Sequence, residues 1–189
     1  MEPRDSILLS DCLKQTTFMD LFQRQDQTAL ASIWAEGHSL RKLHAIVSNS
    51  TLDSRTRFLA AEVLFTKCSD YPPADVVSDL VGIYAAALQH APESMANPWG
   101  LPGDPSGQIA QHVIRLGESA IPALCTMLDD SRIVKFGGSK EATFANSYDF
   151  RVKDIAASLI ARILNLPFVP DTKPTARDKA IQKLAATLK

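Results

Sequence analysis

Leu59-Ala60-Ala61-Glu62-Val63-Leu64 returns as Ile109-Ala110-Gln111-His112-Val113-Ile114, and again as Ile155-Ala156-Ala157-Ser158-Leu159-Ile160. Each copy is an aliphatic, an alanine, two free positions and two aliphatics, so its apolar residues fall on one face of a helix. The copies begin 50 and then 46 residues apart. A recurrence near ~40–47 residues marks a stacked helical solenoid in which each helix pair is one repeat. The reading is therefore all-α.

The rest of the chain is consistent with one repeat domain over its 189 residues. The hydrophobic fraction of 46% is ordinary for a folded globular chain. A net charge of −1 supplies no field to hold a polyanion, which argues against nucleic acid as a partner. Cys12, Cys68 and Cys125 are scattered, odd in number and free of any CxxC spacing. That pattern suggests neither a zinc site nor a redox pair, and a reducing, cytoplasmic setting is expected. The first residues, Met1-Glu2-Pro3-Arg4-Asp5 then Ser6-Ile7-Leu8-Leu9, lack the apolar core of a signal peptide. No stretch approaches the ~20 apolar residues that span a bilayer, so no membrane role is expected.

Turn and cap residues divide the chain. Two N-terminal capping helices are expected over about 10–24 and 26–35, then repeats over 39–68, 72–116 and 118–165, and a C-terminal capping helix over 174–188. Asp53 or Ser54 caps the second helix of the first pair. Asp104-Pro105 reads as N-cap and first residue of a helix that Gly117 stops. The helix from Asp149 ends at Asn165-Leu166-Pro167-Phe168. Arg177, Lys179, Lys183 and Lys189 read as the solvated outer face of the last helix. Two β-prone runs around Gly137-Gly138 predict a small hairpin over 132–146.

These residues resemble HEAT-like repeats. The third pair has a helix-opening proline at Pro122, turn aspartates at Asp129-Asp130 and a Val152-Lys153 pair opening its second helix. The first pair matches at Asp53 and Thr56-Arg57, and the second only in its second helix. The likeness spans about Leu40 to Asn165. It implies a right-handed α-α superhelix of three to four helix pairs whose surfaces hold other macromolecules, and it implies no catalytic residue.

Two insertions are the informative departure. The step from first to second helix of a pair is 16 residues from Leu43 to Leu59, but 29 from Leu80 to Ile109 and 31 from Leu124 to Ile155. Both long stretches occupy the turn inside a pair, a slot that falls on one rim of a solenoid and often makes its binding face. The 89–104 and 131–147 insertions should thus meet in space and carry Trp99, Leu101, Phe136, Lys140 and Phe144 as a composite patch. The aromatics there either anchor a protein partner or plug the loops onto their own scaffold. A second candidate surface is the face of the second helices, with Arg57, Glu62, Gln111, His112, Arg115, Arg151, Asp154 and Ser158.

The four histidines form no metal-ligand spacing, and no nucleophile elbow or phosphate loop is present. Neither cofactor nor catalytic residue is expected. The leading expectation is a non-enzymatic module that binds a protein. A DNA-handling protein is one alternative. A small-molecule or chromophore lyase working with Asp104, His112, Glu141, Tyr148 and Asp149 is another.

Overall fold

The computed structural model describes residues 3–23, 27–34, 39–138 and 140–188, with the side chains of 3–8, 23, 27–29, 32, 140 and 141 outside the description. Among the described residues the fold is all-α: ten α-helices, several single turns of 3-10 helix, and no strand. None of these helices is long and apolar enough to cross a membrane. The chain forms two compact units, Met1–Ile83 and Tyr84–Lys189, and passes from one to the other within a helix.

In the first unit, α1 (Pro3–Gln15) packs on α3 (Ser39–Ser48) and α4 (Ser54–Lys67), and α2 (Gln27–Trp34) packs on α3. A single continuous helix over 10–24 is not formed. Thr17 and Asp20 bond each other's backbone amides reciprocally, a capping pair that starts a separate turn at Met19–Gln23. Arg24, and Glu36 to His38 before α3, lie outside the described residues.

The repeat motif falls on α4 in the first unit and on two helices, over Gln108–Arg115 and Val152–Ile163, in the second. In α4 all six motif residues, Leu59 to Leu64, are buried, Glu62 included. In α9 (Val152–Ile163) all six from Ile155 to Ile160 are buried as well. The two free positions therefore do not face water there. Alanines on several sides let neighbours approach from all round, and a helix covered on every face loses its one-sided pattern. In α6 (Gln108–Arg115) Ile109, Ala110 and Val113 are buried and Gln111 is exposed, but the other free position, His112, is buried as well. In the second unit α6, α7 (Ile121–Cys125) and α10 (Pro174–Ala186) all pack on α9, while α5 (Val77–Gln89) carries the chain across the division.

Helix ends follow local chemistry. Asp53 caps α4 through the Thr56 amide at 2.8 Å and hydroxyl at 2.7 Å. Burial raises the Asp53 pKa, but those bonds outweigh it and hold the carboxyl below its usual range. Gly117, at φ 63°, follows the end of α6 in the left-handed region. Asn165, at φ 52°, ends α9: its amide bonds Arg162 O at 3.2 Å, and the Leu166 amide bonds Ala161 O at 2.8 Å. That pair of bonds is a Schellman cap. The start of α6 falls at Gln108, not Asp104. A Cβ on Gly107 would lie 2.3 Å from Pro98 O, so two backbones meet where helix was expected.

The last helix corrects the reading of its charges. Lys179 and Lys183 are exposed and Lys189 lies outside the described residues, but Arg177 is fully buried. Its guanidinium donates to the carbonyls of Tyr148, Asp149, Asp171 and Thr172 at 2.8–3.1 Å and lies 5.0 Å over the Phe150 ring. Its Nε sits 3.2 Å from Asp154 Oδ2 without hydrogen-bond alignment, so that attraction is ionic. Arg177 locks α10 to the turn that precedes α9.

Two outcomes test these locks. Replacing Arg177 by Leu leaves buried carbonyls unpaired and should cost about 3–5 kcal/mol in denaturant unfolding. Asp53→Ala should cost about 1 kcal/mol at neutral pH. Because the folded-state pKa of Asp53 is depressed, that stability is present above the unfolded value of 3.8 and is lost as pH falls through the folded one. The gap between wild type and variant should therefore close in unfolding curves taken well below pH ~4.

Candidate functional site

Among the described residues the expected hairpin is not formed, but the two insertions meet. Residues 133–136 run extended, with Val134 and Phe136 buried and Ile133 and Lys135 outward. One edge of this segment bonds the stretch before α9, through Val134 N to Phe150 O at 2.8 Å and Val152 N to Arg132 O at 3.0 Å. The other edge meets the first insertion, through Ala96 N to Lys135 O at 2.7 Å. The second arm of the expected hairpin is a helix, α8 (Lys140–Ser147). Ala142 and Ala145 bury one side of it, an i,i+3 spacing that a strand cannot use.

Two asparagines hold this seam closed. Asn97 donates from Nδ2 to Gly137 O at 2.8 Å and accepts from Gly137 N at 2.9 Å. Asn146 donates to Phe136 O at 2.8 Å and accepts from Phe136 N at 2.9 Å. Each side-chain amide thus pairs with a whole residue's backbone as a neighbouring strand would. Asn97 joins positions 40 residues apart. Neither asparagine stood out in the sequence. A side-chain amide that completes a distant backbone leaves no periodic signal.

The predicted residues separate by burial. Trp99 retains 3% of its surface and Phe136 5%, with Phe136 edge-on to Phe150. Both rings are used to pack the insertions down, so neither is presented to a partner. Leu101 is half-buried in a tight turn closed against Asp104. Phe144, on α8, is 68% exposed. Lys140 begins α8, with its side chain outside the described residues. Two exposed apolar side chains that the sequence reading passed over share the seam: Met95 at 58% and Ile133 at 43%. Met95 sulfur lies where a Cβ on Gly137 would come within 3.0 Å, so it crosses the join.

The second candidate surface is largely interior. His112 and Arg151 are buried, as are Glu62, Asp154 and Ser158. Arg151 donates to both Asp154 oxygens at 2.9 Å and reaches Asp178 at 3.0 Å, which ties α9 to α10. Arg57 is held by Val47 O and Asp79, both at 2.8 Å. Arg115 and Gln111 remain exposed. Of the set weighed for catalysis, Asp149 pairs with Lys135 at 3.7 Å and Tyr148 gives its carbonyl to Arg177. The side chain of Glu141 lies outside the described residues.

Several of the described charges around the seam are paired, Lys135 with Asp149 among them. Arg132 grips both Asp130 oxygens and holds that carboxyl below its usual range. His90 bonds Glu93 at 3.1 Å. Beside the seam a polar cleft of about 260 Å³ is lined by Asp104, Ser106, Gln111, Ser158 and Arg162. The Ser158 hydroxyl there accepts the Gly103 amide at 2.8 Å. Among the described side chains the seam offers outward Met95, Ile133 and Phe144 beside the ion pairs of Arg132 and Lys135, an arrangement suited to recognition by burial.

No protein-family model matches the chain, and no significantly similar curated protein or solved structure was found.

Asn97→Ala and Asn146→Ala should each cost about 1–3 kcal/mol, because each leaves a backbone amide and carbonyl without partners. Denaturant unfolding reads the loss. Amide exchange at Gly137 should speed up in Asn97→Ala, and at Phe136 in Asn146→Ala.

Proposed function

We propose that this chain is a HEAT-like helical-repeat module that binds a protein partner without catalysing a reaction. Its contact surface is the join of the 89–104 and 131–147 insertions. The observation that carries this reading is the exposure of Met95, Ile133 and Phe144 on two segments stitched together by Asn97. A folded chain that spends Trp99 and Phe136 on packing has rigidified the loops, and rigid loops bearing exposed apolar side chains bind at low ordering cost. The three-fold motif and the paired packing of α3 with α4 and α7 with α9 support the repeat assignment.

The test is affinity capture from the source cell with wild type and two variants. Met95→Asp combined with Phe144→Asp places charge on exposed positions and should leave the thermal midpoint unchanged while removing a stoichiometric protein. Lys179→Asp, on the exposed face of α10, should retain it. A partner captured equally by all three, or none at any salt concentration, contradicts the proposal.

A further inference from the structure

The first unit contains a cavity that the seam does not explain. It has a volume of about 570 Å³, within the range of small-molecule sites. Leu40 and His44 from α3 form one wall, and Tyr71 and Pro73 from the turn after α4 form the other. Leu40 leaves 52% of its surface in water, although it sits in the first turn of an otherwise ordinary amphipathic helix. Tyr71 is buried, with its ring edge-on to Phe65 at 4.8 Å, so that wall is fixed.

The charge at this cavity has a sign. Arg41 and Lys67 line it, both exposed, and among the described residues neither makes an ion pair. The single carboxylate of the lining, Asp70, takes the Ser69 hydroxyl at 3.1 Å. Two cations, Arg41 and Lys67, thus stand against one carboxylate in this lining. The Cys68 thiol also lines the cavity, and burial followed by the nearby Asp70 pushes it above its ordinary range. The thiol therefore stays protonated near neutral pH and is a poor nucleophile.

We propose that this cavity binds a small apolar carboxylic acid, an aryl or short acyl acid. Its hydrocarbon lies against Leu40, Tyr71 and Pro73, and its carboxylate is held between Arg41 and Lys67. The apolar walls supply contact area, and the two cations choose the sign of the ligand. The site is independent of the seam, since every residue in it belongs to the first unit.

Titration of the full chain with naphthoate, followed by amide chemical shifts, tests this. Saturable shifts should centre on Arg41, His44, Cys68 and Tyr71. Naphthamide, the same ring without the charge, should bind roughly tenfold more weakly. Arg41→Glu combined with Lys67→Glu changes two exposed positions, should keep the dispersed spectrum of the folded chain, and should lose naphthoate binding by about tenfold or more. Equal binding of acid and amide overturns the proposal. So do shifts centred elsewhere, undiminished affinity in a folded double variant, and the absence of saturable shifts.

Discussion

The second unit depends on two side-chain amides that imitate a strand. Asn97 and Asn146 take the backbone groups of Gly137 and Phe136, adjacent residues of one extended segment. Buried or half-buried peptide groups without partners are costly, and this segment has no sheet to satisfy them. Asparagine solves the problem because its amide carries one donor face and one acceptor face, matching a residue's own N–H and C=O. With those bonds made, Val134 and Phe136 can turn inward, Trp99 can close the first insertion, and Ile133 and Met95 are left outside.

A second constraint fixes the scaffold that carries this seam. Helix α9 is buried on every side, and its N-terminal turn bears a carboxylate, Asp154, that is wholly shielded from water. A lone buried charge there would be prohibitive. Arg151 answers it with two 2.9 Å bonds, and Arg177 adds its own charge from α10 while satisfying four carbonyls. The same polar cluster therefore sets the start of α9 and ties down the last helix. Arg177 also reaches the Tyr148 and Asp149 carbonyls, at the foot of the second insertion, so scaffold and insertion share one anchor.

Much of this was legible in the residues. Helical periodicity, the cap at Asp53, the stops at Gly117 and Asn165, and the unequal helix-to-helix steps are local signals, and each corresponds to a feature of the structure. Three classes of feature were not legible. Burial of the free motif positions depends on how many neighbours surround a helix, which the helix's own sequence does not encode. Arg177 looked like one of a row of surface cations, because nothing near it in sequence signals a buried carboxylate 23 residues upstream. The run Glu141-Ala142-Thr143-Phe144-Ala145 reads as strand by its Thr and Phe, yet alanines at 142 and 145 let it pack as a helix. The exposed residues differ from those expected for the same reason: large aromatics attract attention in a sequence, while burial decides which of them remain outside.

The proposed role follows from this division of labour, with packing aromatics inside, exposed aliphatic and aromatic side chains outside, and neighbouring charges such as Arg132 and Lys135 paired. Everything rests on the first insertion being held against the second. The most direct measurement is the nuclear Overhauser contact between the Asn97 side-chain amide protons and the Gly137 backbone amide. A strong cross-peak, together with slow exchange of the Gly137 amide, is the expected result. The account is contradicted if the cross-peak is absent and that amide exchanges at the rate of an open loop.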